Sequence, residues 1–104
     1  MYLVLTGDKY EEFLSKYGET PLSAFHAHAY DAANILFDAI EQIAVSEADG
    51  TLHIGRQALR DALYATKDFN GISGNPSCNE FGDCVAHEII LIAQIKNGEY
   101  LPLR

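Results

Sequence analysis

A chain of 104 residues is one domain on the ordinary size relation, with room for only a small core. Apolar residues make up 48% and charged residues 21%, the balance of a folded chain rather than a disordered one. A net charge of −8, with the acids spread along the chain, leaves no basic patch for phosphates or an anionic bilayer, which argues against nucleic acid and membrane-surface partners.

Tyr2 to Leu5 is apolar and β-prone and reads as the end of a strand. It has no basic leader and Asp8 follows soon, so it is not read as a signal peptide; the chain is then cytosolic, or a piece whose natural start lies upstream. Asp8 with Glu11 reads as a capping box opening a helix, with Tyr10, Phe13, Leu14 and Tyr17 on one face and Gly18 as its stop. Phe25 to His28 is expected to be briefly extended. The best helix runs from Ala27 to Ala44, with an apolar stripe of Ala29, Ala33, Leu36, Phe37, Ile40, Ile43 and Ala44 and a polar stripe that includes Asp31.

Glu47 to Gly50 reads as a polar loop, and Thr51 to Ile54 as a short linker or strand. A further amphipathic helix is expected from Arg56 to Thr66. Gly71 to Ser77, with two glycines and a proline, suits an edge strand or an irregular extended segment. Glu88 to Lys96 is strand-like, and Asn97-Gly98 is a strong hairpin signal that makes Glu99 to Leu103 the returning strand. The longest apolar run, Ile89 to Ile95, is far below the ~20 residues of a membrane span.

Two stretches taken in order, AYDAANILFDAIEQI (Ala29 to Ile43) and RQALRDALYATKDFNGISGNPSCNEFGDC (Arg56 to Cys84), carry a family resemblance. With the opening YLVLTGDKYEEFLSKYGETP and the closing hairpin, they resemble the C-terminal portion of a type I periplasmic binding protein, in the branched-chain amino-acid (Leu/Ile/Val) group of ABC-transporter substrate-binding proteins. The resemblance implies an α/β fold that is part of a two-lobed unit, with helices on a mostly parallel sheet and a C-terminal β-hairpin. It implies that 1–104 is a single C-terminal fragment, with 1–20 and 85–104 in one lobe and 24–77 in the other. Crossings between lobes would fall near Pro21 and near Cys78 to Asp83. The function implied is solute binding by hinge closure, with an amino acid or similar small molecule as ligand, an ABC permease as partner and the periplasm as location. The family's proteins are considerably longer than this chain, so the chain is expected to lack most of the ligand site and to expose apolar helix faces. Two other readings stand beside it: a stand-alone homodimeric α/β interaction module, and the ligand-sensing domain of a receptor.

For a periplasmic protein, Cys78 and Cys84, separated by five residues that include Gly82, are expected to form a structural disulfide. In the cytosol they would be free thiols; metal binding by the pair is disfavoured for want of tight Cys-x-x-Cys spacing. His26 and His28 would share a face if they lay on a strand, where they could chelate zinc, yet no third ligand is placed by spacing and no metal site is assigned. The resemblance places this segment just after a lobe crossing, which makes His28 and Tyr30 the candidate ligand-binding residues. Arg56, Arg60 and Asp61 are expected to form surface ion pairs, and Asn79 to Asp83 a turn rather than a calcium loop. No phosphate cradle, nucleophile elbow or cofactor motif is present, and no catalytic residue is assigned: the sequence does not read as an enzyme.

Overall fold

The computed structural model describes residues 8–22, 25–86 and 92–103. The expected strand at Tyr2 to Leu5 and the first half of the Glu88 to Lys96 strand lie outside these residues.

Helix α1 (Asp8–Tyr17) has the expected bounds, with Asp8 and Glu11 in its first turn and Lys16 in its last, which suits the helix dipole. It ends where Gly18 turns to φ +86, its N–H donating to the Leu14 carbonyl at 2.9 Å. Helix α2 (Phe25–Ile43) starts before the expected Ala27, so Phe25 to His28 is helical rather than extended. Its buried positions are Ala27, Asp31, Ile35 and Ala39, a stripe at intervals of four. This corrects the expected inner face. Phe37 is 63% exposed, and Asp31, expected on the polar side, is 3% exposed. The helix is apolar on more than one side, so periodicity alone did not choose the face. Neighbours chose it, through the hydrogen bonds that Asp31 makes.

Strands β1 (Val45–Ser46) and β2 (Leu52–His53) pair antiparallel across the Glu47–Gly50 turn, with Gly50 at φ +87. Helix α3 (Arg56–Tyr64) packs on α2. On its outer face Gln57 Nε2 donates to Asp61 Oδ1 at 2.7 Å, and the Arg60 guanidinium lies 4.9 Å from the centre of the Tyr64 ring. The expected ion pairs on this helix do not form. Ion pairs among the described residues are Lys16–Glu12 at 2.6 Å and His53–Glu47 at 2.9 Å, both exposed.

The chain then runs irregularly to β3 (Ser77–Cys78), which pairs antiparallel with β4 (Cys84–Val85). This short hairpin is tied to the end of α3: Cys78 N–H donates to the Thr66 carbonyl at 2.9 Å, Asp68 N–H to Ser77 Oγ at 2.8 Å and Lys67 Nζ to the Cys78 carbonyl at 3.0 Å. Asn79 Oδ1 accepts from the N–H groups of Phe81 and Asp83 at 2.9 and 3.0 Å, which makes Asn79 to Asp83 the expected turn. Cys78 and Cys84 face each other in register with their sulfurs at disulfide distance, 1.99 Å. Closing so short a loop restricts the unfolded chain modestly, so reduction, or Cys78→Ser with Cys84→Ser, is expected to cost about 2 kcal/mol in chemical denaturation.

Strands β5 (Ile92–Lys96) and β6 (Glu99–Leu103) form the expected hairpin about Asn97 and Gly98, both at positive φ (53° and 81°), the conformation of a type I′ turn. Every strand pair among the described residues is antiparallel. The mostly parallel sheet is not formed among them, since two pairs are only two residues long and the third is a local hairpin. Among the described residues the buried apolar side chains are Ala27, Ile35, Ala39, Ile72 and Cys78.

The radius of gyration is 17.3 Å, against about 13 Å for a compact domain of this length. The accessible surface is 8064 Å², about 2,300 Å² more than a compact monomer of this mass exposes. Large apolar side chains left exposed on α2 include Leu36 and Phe37.

Candidate functional site

The most constrained point of the structure is the contact of α2 with the loop from Gly71 to Gly74. Asp31 Oδ1 accepts from Ile72 N–H at 2.9 Å, and Asp31 Oδ2 accepts from Ser73 N–H at 2.8 Å and from Ser73 Oγ. Ser73 is 2% exposed, so the carboxylate and its donors are out of water together. A buried carboxylate is tolerable only when its oxygens are satisfied, and the loop presents consecutive N–H groups that need an acceptor. Gly71 is required by proximity, because a Cβ at this position would overlap the Asp31 carboxylate. The sequence signal was present but weak: Asp31 shares its spacing of four with Ala27, Ile35 and Ala39 in an alanine-rich run.

Clefts flank this clamp on two sides of α2. One, of about 230 Å³, lies between α1, α2 and the Phe69–Asn70 turn and is lined by Lys9, Phe13, Lys16, Tyr30 and Asn34 among others. It is polar, and its charged side chains are already engaged in part. Lys9 Nζ donates to the Asn70 carbonyl at 2.6 Å, and Lys16 pairs with Glu12. The hydrogen bond from the Lys16 ammonium, with its charge, holds the exposed Glu12 carboxyl below the usual carboxylate range. The other cleft, of about 480 Å³, lies between α2, α3 and the β3–β4 turn and is mainly apolar, with Ile35, Leu36, Leu63, Tyr64 and Pro76 on its walls.

The two residues singled out for ligand binding fall on different clefts. Tyr30 lines the polar one and meets the Phe13 ring edge-on at 5.1 Å, whereas His28 lines the apolar one. Residues two apart on a helix point about 200° apart, so they are not brought together. The same geometry separates His26 from His28. His26 instead lies 3.1 Å from the Tyr10 hydroxyl and stacks against Phe13. Among the described residues, no group of three or more His, Cys, Asp or Glu side chains is placed to hold a metal ion. No helix among them is long and apolar enough to cross a membrane.

No protein-family model matches the chain, and no curated protein matches it. Among solved structures it is similar to the leucine-binding protein LivK of Thermotoga maritima, with 28% sequence identity and a TM-score of 0.64 over 96% of this chain. The chain spans 27% of that protein's length, a proportion that fits one end portion of a longer binding protein. In motif order and in backbone alike, the chain resembles the C-terminal portion of a type I periplasmic binding protein of the branched-chain amino-acid group.

Proposed function

We propose that this chain forms part of the solute-binding component of an ABC transporter for branched-chain amino acids or related small molecules. The observation that carries the reading is the similarity to a leucine-binding protein along 96% of the chain. In this reading residues 1–20 and 85–104 belong to one lobe and 24–77 to the other, and ligand closes the lobes about the crossings near Pro21 and Cys78 to Asp83. The closed form would then dock on a membrane permease, and the protein would work in the periplasm, where a Cys78–Cys84 disulfide persists. Binding rather than catalysis is the role that fits.

Tyr30 is the better placed of the two candidate ligand residues. Its cleft lies between α1, assigned to one lobe, and α2, assigned to the other, and a hinge-closing ligand must sit at such a boundary. His28 would line the lobe's interior groove instead. With only 27% of the matched protein's length present, most of the groups that would surround an amino acid are supplied from outside this chain. Calorimetric titration of the 104-residue chain with leucine, isoleucine and valine is expected to show millimolar binding or none, roughly 4 kcal/mol or less. Saturable sub-millimolar binding would show that the site is complete here. If that binding survived Tyr30→Ala, Tyr30 would lose its role.

A further inference from the structure

We propose that Asn97 is a site of spontaneous covalent modification. The Gly98 backbone nitrogen closes on the Asn97 side chain, the amide leaves as ammonia, and the hairpin tip acquires an aspartate or an isoaspartate. The proposal is independent of the ligand reading above.

The chemistry needs an asparagine followed by a residue whose backbone nitrogen can reach the side-chain carbonyl. With its proton taken up by solvent base, the Gly98 nitrogen attacks Asn97 Cγ. An N–Cγ bond forms, the bond from Cγ to Nδ2 breaks, and ammonia departs. Water then opens the five-membered imide at either of its carbonyls. One opening gives aspartate; the other gives isoaspartate, in which the main chain runs through the former side chain. The sum is one water taken up and one ammonia released, with no oxidant or reductant. Glycine favours the approach because it has no Cβ in the way and the widest backbone freedom.

Two asparagines in the chain precede glycine, Asn70 and Asn97. Both are exposed, so exposure does not choose between them. Their backbones do. Gly71 N–H donates to the Phe69 carbonyl at 2.9 Å and to the Gly74 carbonyl at 3.0 Å, and the Asn70 carbonyl accepts from Lys9 Nζ at 2.6 Å. Gly71 also lies against the Asp31 carboxylate, which holds the next N–H, that of Ile72. Swinging the Gly71 nitrogen toward the Asn70 side chain therefore means opening the buried clamp.

At Asn97 nothing comparable has to open. The ladder closes on Lys96 and Glu99, and the two central residues of such a turn contribute no ladder bond. Residues 96 to 99 are all exposed. Asn97 sits at φ 53, a conformation that asparagine adopts readily, and leaving it frays only the end of a short hairpin. Local opening of this kind costs far less than opening a buried contact. The isoaspartate product carries an extra main-chain atom, so the turn no longer sets Lys96 opposite Glu99.

Incubation of the 104-residue chain in mildly alkaline buffer, then tryptic digestion and fragmentation mass spectrometry, tests this. Cleavage after Lys67 and Lys96 puts Asn70 and Asn97 on different peptides. The amide-to-acid mass gain is expected at Asn97 about tenfold or more faster than at Asn70. Isoelectric focusing should show the product one unit more negative than the −8 of the parent. In urea the two rates are expected to converge, because unfolding releases the Gly71 nitrogen. No gain at Asn97, or an equal rate at Asn70 in the folded chain, would overturn the proposal. An Asn70 rate that stays slow in urea would overturn it equally, by showing that the fold does not make the choice.

Discussion

Asp31→Ala is expected to cost about 3 kcal/mol or more, a large share of the stability of a domain of this length. The carboxylate accepts three hydrogen bonds within the buried contact between α2 and the Gly71–Gly74 loop. Removing it leaves the Ile72 and Ser73 N–H groups and the Ser73 hydroxyl in a buried place without an acceptor, which costs more than the bonds contributed. Asp31→Asn keeps one acceptor oxygen but sets an NH₂ group against a donor, so its loss should be intermediate. Urea denaturation monitored by circular dichroism separates the three forms. A loss from Asp31→Ala below about 1 kcal/mol would mean that the loop is held by its own turns. Gly71 supplies a coupling test: Gly71→Ala should be severe in the parent chain and much milder beside Asp31→Ala, because the overlap is with that carboxylate.

Gly82→Ala is expected to cost about 2–3 kcal/mol, for two additive reasons. Gly82 sits at φ +87, a left-handed conformation that an L side chain adopts at a cost of about 1 kcal/mol. An added Cβ would also lie 2.8 Å from Tyr64 Cε1 and 2.9 Å from Cζ, closer than real Cβ contacts come, so the ring must shift to admit it. Tyr64→Ala should recover the overlap share of the Gly82→Ala loss and leave the conformational share. Thermal unfolding of the two single variants and the double variant measures this. Purely additive losses would show that the ring moves aside.

The consequences of these two positions reach the site. The Asp31 clamp joins the polar cleft holding Tyr30 to the apolar one holding His28, and the Gly82 turn forms part of the apolar cleft's wall. A change at either position is expected to alter both clefts without touching a ligand. That distinguishes it from Tyr30→Ala, whose cost should be confined to the lost edge-on contact with Phe13, about 1 kcal/mol.

Local chemistry in the sequence determined the elements whose causes are local. Gly18 ended α1, Asn97-Gly98 built the closing hairpin, and Asn79 with Gly82 made the turn between the cysteines. Each depends on a cap or on a backbone angle that only a few residues adopt, and such signals sit within a few positions of one another. The order of these pieces was also enough to show the resemblance to the leucine-binding group.

Only the tertiary structure decided which face of α2 is buried, because Ile35 and Asp31 face inward by virtue of Ile72 and Ser73, some forty residues away along the chain. It alone put His26 in the helix and so turned it away from His28, since the expected extended start to α2 became helix and changed the angle between alternate side chains. It alone placed Gly71 against a carboxylate and Gly82 against a ring. Contacts of this kind are set by packing between distant segments, and no spacing within either segment encodes them.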